Sequence, residues 1–303
     1  MRQHFIKLGW LVFVGITLIL TPARRSFGGK PVYVGQRVAG SVSVDKIDHS
    51  AWDKIVKRYV DKNGLVNYRA LHASRADRRQ LRAYLELLST ANPQTRASRN
   101  GQLAFWINAY NAVTVEGILQ KYPTTSIRNH TAKAVGYNIW HDLKLYVGGS
   151  AYSLDFMEHK VLRKMNEPRI HFAIVCASIG CPRLLNEAYV PAKLNAQLEL
   201  NTKDFFARAQ NFRYDQANRR FEMSAILEWF GTDFGANKAA QLKTISKWLP
   251  TKAAQQAALT NAVSTRTMEY SWKLNEQKAT AKQGGSGTKA GSSSRARVGS
   301  GQE

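Results

Sequence analysis

The sequence predicts an α+β fold in a single globular domain, and three observations predict it. Residues 102–121 (QLAFWINAYNAVTVEGILQK) make one long apolar stretch of helical length, ended by Pro123. Residues 143–154 and 212–223 each read as a β-hairpin around turn residues, Gly148-Gly149 and Asn218. Helical stretches and hairpins also lack the regular alternation that a parallel α/β sheet requires. At 303 residues and 44% apolar, the chain can bury one large core.

Residues 1–25 read as a signal peptide or short signal anchor. Arg2 and Lys7 precede an apolar run over 8–20, then Thr21-Pro22-Ala23 as a weak cleavage site, then Arg24 and Arg25. Export is expected, with the chain periplasmic or membrane-anchored by a transmembrane helix and facing the periplasm. The run is short for a span of about 20 residues. Residues 26–48 are β-leaning and turn-rich and read as a linker into a domain over 49–275. There Trp52, Ile55, Val56, Tyr59 and Val60 recur at helical spacing. Asn63-Gly64 marks a turn before a brief strand over 65–68. A second helix over 75–90 turns Leu81, Tyr84, Leu85 and Leu88 inward. After the central helix and the first hairpin, Ser153 or Asp155 can cap a helix FMEHKVLRKM. Pro168 precedes an apolar stretch over 170–175 that reads as a buried strand ending at a loop with both cysteines. Helical segments broken at Pro191 and Gly235 fill much of the remainder. The basic, Gly/Ser-rich tail over 276–303 buries too little apolar surface to order itself and reads as disordered.

The chain carries 44 Lys+Arg against 21 Asp+Glu, a formal +23. The charge is spread thinly through the domain, so it favours an anionic envelope polymer or a membrane surface as partner. No zinc spacing, aromatic RNA-binding run or Arg-rich helix is present, and no specific nucleic acid is expected. The seven histidines make no H-x-x-x-H pair, and Cys176 and Cys181 are not in a CxxC. No metal and no cofactor is expected.

Three stretches can carry chemistry. In FWINAYNA, Asn108 and Asn111 are three apart and share one helix face. Buried carboxamides need partners, so they either hold loop backbone in register or orient a catalytic imidazole. In SLDFMEHKVLRK, Glu158 is next to His159. Asp155, His159 and Arg163 follow in steps of four, which makes His159 a general-base candidate beside solvated helix charges. In HFAIVCASIGCP, Cys176 falls where the apolar run gives way to small residues, with Ser178 beside it and Cys181 five positions on. Strand alternation puts His171 on the face opposite Cys176. This stretch reads as a thiol nucleophile, a Cys176–Cys181 disulfide or redox pair, or packing.

FWINAYNA, SLDFMEHKVLR, PRIHFAIVCASIGCP and the closing MEYSWKLN, in that order, together resemble the domain of unknown function 547 family, as does the upstream HSAWDKIVKRYVDKNGLVNYRAL. The resemblance spans 49–275. It implies a bacterial family often carrying an export signal, with eukaryotic members sometimes fused to glutaredoxin-like modules and with a motif cysteine at Cys176. It implies no reaction.

Three functions follow as expectations. One is a cell-envelope hydrolase or acyltransferase with Cys176 as nucleophile, His159 as base, and Asn108 or Glu158 orienting the imidazole. Asn111, His171, Arg163, Ser178 and Cys181 would support that site. Another is thiol–disulfide redox chemistry at Cys176 and Cys181. The third is a non-enzymatic envelope binding module whose motifs are framework.

Overall fold

The computed structural model describes residues 29–132 and 136–278. The signal or anchor segment (1–25) and the part of the tail (276–303) beyond residue 278 lie outside the described residues. The tail's start is ordered against the domain rather than disordered, with Glu276 accepting from Tyr122 and Gln277 donating to the Tyr59 and Leu65 carbonyls. Among the described residues no helix is long and apolar enough to cross a membrane. That corrects the expectation of a transmembrane helix as far as the described residues go, while the apolar run over 8–20 on which it rested lies outside them.

The α+β class and the single domain are as expected from sequence. Residues 32–48 are part of the domain rather than a linker. β1 (Val32–Val34) and β2 (Val42–Ser43) begin the described chain, and Val34, Val44 and Ile47 are buried. Three helices follow, α1 (Ser50–Tyr59), α2 (Tyr68–Ala73) and α3 (Arg75–Ser89). The expected strand over 65–68 reduces to isolated bridges at Val66, because Asn67 caps α2 by accepting from the Ala70 amide. β3 (Ala91–Asn92) pairs with β2, and α4 (Arg99–Gln120) then runs through the centre. Ser98 caps α4 by accepting from the Gly101 amide at 3.1 Å. Every residue from 103 to 119 is buried, as a helix apolar on all sides requires.

A short α5 (Ile139–Asp142) leads into the hairpin of β4 (Leu143–Val147) and β5 (Ser150–Ser153), with β1 parallel on the outer edge of β4. Gly148 and Gly149 take φ of +57° and +82° at its turn, a region that glycine enters freely. Ser153, not Asp155, caps α6 (Leu154–Phe156). The helix then widens into a π-helical turn over Met157–Leu162 and tightens to a 3₁₀ turn over Arg163–Met165. Such a widened turn re-aims side chains and often marks a functional site.

The expected strand over 170–175 is absent. Pro168–Phe172 form a 3₁₀ turn that Glu167 caps by accepting from the Arg169 amide. Carboxamides from two helices take the place of strand partners. Asn111 donates to the Ala173 carbonyl and accepts from the Val175 amide, and Asn201 donates to the Phe172 carbonyl.

Asn201 lies on α7 (Leu194–Ala207). Beyond it come the expected hairpin of β6 (Phe212–Asp215) and β7 (Arg220–Met223), then α8 (Ile226–Trp229), α9 (Gly231–Phe234), α10 (Lys238–Ser246) and α11 (Lys252–Leu259). β8 (Ser264–Thr267) returns parallel to β7.

The core has two parts. One surrounds α4; the other is aromatic, with Phe172 packed on Phe205, Phe206, Phe234 and Trp248. Truncating such a buried Phe to Ala costs about 3–5 kcal/mol. Tyr270, just after β8, packs against both parts. The functional cavity opens along this seam.

Candidate functional site

The segment after β8 fixes the cysteine loop. The Ile179 amide donates to the Lys273 carbonyl, Gly180 to Ser271 and Asn275 to Ala177, at 2.8–3.0 Å. Gly180 has to be glycine, since a Cβ there would stand 2.8 Å from the Tyr270 ring. The strap thereby brings the Tyr270 hydroxyl to 3.2 Å from Cys176 Sγ and 3.1 Å from Cys181 Sγ.

In the structure both cysteines are free thiols rather than a closed disulfide. Cys181 is buried and Cys176 half-buried. Cys181 Sγ accepts the Cys176 amide at 3.0 Å, a donor that can only donate. Besides Cys181, Cys176 Sγ meets hydroxyls able to turn either way, Ser178 at 2.9 Å and Tyr270 at 3.2 Å. The thiolate therefore belongs on Cys181. Burial alone would push its pKa up, but the hydrogen bonds from Cys176 and Tyr270 outweigh it and hold it at about 7. Hydrogen bonding to Cys181, followed by burial, pushes the Cys176 thiol well above its ordinary range. Burial drives Tyr270 upward too, which keeps its hydroxyl protonated as a donor.

The sulfurs border a cavity of about 200 Å³ along the seam. Glu158, placed there by the π-helical turn, shares it. Burial raises the Glu158 carboxyl to about 7, against the opposing hydrogen bond from Tyr110 at 3.2 Å, and the Cys181 charge adds to the rise. A carboxyl at that value exchanges protons near neutrality.

His159 borders the same cavity but is not arranged as a base. The Arg163 guanidinium donates to its Nδ1 at 3.1 Å, so the neutral ring carries its proton on Nε2, which faces Asp155 at 3.7 Å. Among the described residues no histidine hydrogen-bonds to either sulfur. His171 is buried, stacked on Phe230 at 4.1 Å, and donates from Nε2 to Asp233 at 2.8 Å. Burial lowers its pKa to about 4 despite that carboxylate. Arg163 grips Asp233 with two bonds of 2.7 Å.

The asparagines take the framework role. Asn108 donates to the Tyr189 carbonyl at 2.7 Å and accepts its amide at 2.9 Å, and Asn111 clamps Ala173 and Val175. Both carboxamides are thereby engaged with backbone, which corrects the expectation that Asn108 orients an imidazole. Cys176, Cys181, Glu158, His159 and His171 come together around the cavity, and Ser178 joins the sulfurs.

Sequence reasoning missed Tyr270, Asp233 and Tyr110, as well as the cavity walls Trp140, Trp229, Phe230 and Trp272. For Tyr270 the signal was the closing aromatic motif MEYSWKLN, to which no role was attached. No curated protein and no solved structure matches the chain. Residues 94–206, which hold α4, the π-helical turn and both cysteines but not Tyr270, match the model of the family described as "Protein of unknown function, DUF547", the family that the motifs resemble.

Proposed function

We propose that this is an exported thiol–disulfide exchange protein working through Cys176 and Cys181. The observation that carries this reading is one hydroxyl, Tyr270, shared by two free thiols that border a cavity, with no imidazole among the described residues bonded to either. Export rests on the basic and apolar pattern of residues 1–25. In the reducing direction the Cys181 thiolate attacks one sulfur of a substrate disulfide, forms a mixed disulfide and releases the first substrate thiolate. Cys176 then passes its proton to the Glu158 carboxylate and displaces the second substrate thiolate. The Cys176–Cys181 disulfide closes as the substrate gains two electrons and the dithiol loses two. Oxidation of a substrate dithiol is the reverse sequence.

The test is equilibration of the protein in glutathione buffers, with alkylation of free thiols and mass measurement. Expected is one reversible two-electron transition, lost in Cys176→Ser and in Cys181→Ser and retained in His159→Ala. Two thiols that stay reduced in the most oxidising buffer would sink the proposal. A hydrolase or acyltransferase reading keeps one support, the Glu158 carboxyl near neutrality beside a thiolate. Acyl transfer needs one cysteine, so activity of Cys176→Ser towards a thioester would favour it.

A further inference from the structure

We infer that the cavity selects sulfur compounds carrying a positive charge, a reading that rests on the exchange chemistry above. The chain as a whole is strongly cationic at +23, yet no Lys or Arg is among the described residues that line the cavity. Two carboxyls, Asp155 and Glu158, are there instead. Burial lowers the pKa of both lining histidines, His171 to about 4, which disfavours their charged forms, and His159 also faces the Arg163 guanidinium. Arg163 is itself neutralised by its two bonds to Asp233, and Lys160 is exposed on the next residue of the π-helical turn.

The apolar wall points the same way. Trp229, 49% exposed, lies 4.8 Å from Tyr270 and stacks on Trp272 at 5.9 Å. Arg128 already stands over Trp272 at 5.3 Å, so this aromatic group accepts a cation on one ring and leaves Trp229 open. A ring face attracts an ammonium group, and nearby carboxylates strengthen the attraction. A small aminothiol disulfide would set its ammonium between Trp229 and Asp155 while its sulfurs meet Cys181. An anionic disulfide would meet two carboxyls and, among the described lining residues, no Lys or Arg.

Three symmetric disulfides test this, namely cystamine, bis(2-hydroxyethyl) disulfide and 3,3′-dithiodipropionate. Their rates of oxidising the reduced protein are each divided by the rate with free dithiothreitol, which removes differences in leaving group. Each reaction gives one Cys176–Cys181 disulfide and two small thiols. Expected is a normalised preference of roughly tenfold for cystamine over dithiodipropionate at low salt, with the neutral compound between them. That preference should shrink to about threefold at high ionic strength and fall in Asp155→Asn. The salt series on the unaltered protein stands even if the variant folds poorly. Equal rates, or a faster anion, would overturn charge selection and leave dithiol exchange standing. No oxidation by any of the three would overturn both.

Discussion

Replacing Glu158 by Gln tests whether a carboxyl in the seam holds its proton near neutrality. Gln keeps an acceptor oxygen for the Tyr110 hydroxyl, which now bonds Glu158 Oε2, but cannot ionise. The folded carboxyl titrates at about 7 against an ordinary value of 4.5, chiefly through burial. Between those two values the folded chain holds a proton that the unfolded chain has released. Stability from this group is therefore fully present below 4.5 and lost as pH rises through 7. At 1.36 kcal/mol per pKa unit the loss amounts to about 3 kcal/mol, an upper bound because the cavity admits water. Urea denaturation of both proteins at pH 4.5 and pH 9 measures it. The variant should gain about 2–3 kcal/mol relative to the parent across that interval. Taking the difference cancels the acid-side loss from neutral buried histidines such as His49 and His171, both lowered to about 4. Repeating the pair in Cys181→Ser isolates the part owed to the thiolate. A difference constant within about 0.5 kcal/mol would mean that Glu158 ionises like a solvated glutamate, a base too weak near neutrality for the role given to it in taking the Cys176 proton.

Two further outcomes are expected. Tyr270→Phe removes the hydroxyl common to both sulfurs; a hydrogen bond to a charged group is worth about 1.5–3 kcal/mol, so the Cys181 thiolate should form about one to two pH units higher. Thiolate ultraviolet absorbance against pH reads this, and an unchanged midpoint would refute the role given to Tyr270. Asn111→Ala should cost about 2–5 kcal/mol in urea denaturation, because the Ala173 carbonyl and Val175 amide both lose a buried partner. A cost under 1 kcal/mol would show that the apolar stretch before Cys176 holds itself.

What could be read from the sequence was set by local chemistry. The central helix declared itself because an all-round apolar run of that length has no other stable form, and Gly148-Gly149 fixed the first hairpin. The stretch over 170–175 misled for a physical reason. Its apolar residues and lack of charge suit a buried strand, but its backbone groups are satisfied by Asn111 and Asn201, 62 residues before Ala173 and 29 after Phe172. Such partners leave no mark on the stretch itself. The same holds for the role of His159, decided by which nitrogen Arg163 occupies, a fact of orientation rather than spacing. The cysteines were found as a pair, yet their third partner is 94 residues from Cys176.

The seam between the two core parts explains why the thiols can be both shielded and reachable. Within a single core, Cys176 and Cys181 would be packed out of reach; on an open surface, no fixed donor set would hold Cys181 at about 7. Here the loop turns at Ala177, whose φ of +59° places a non-glycine residue in the left-handed region at a cost of order 1–2 kcal/mol. Backbone bonds to the strap after β8 oppose that cost, through the Asn275 amide to the Ala177 carbonyl and the Gly180 amide to Ser271. Those bonds are also what carries Tyr270 to the sulfurs. Loop conformation and thiolate stabilisation are therefore coupled through one segment, and any change that loosens the strap should raise the Cys181 pKa even when it touches neither cysteine.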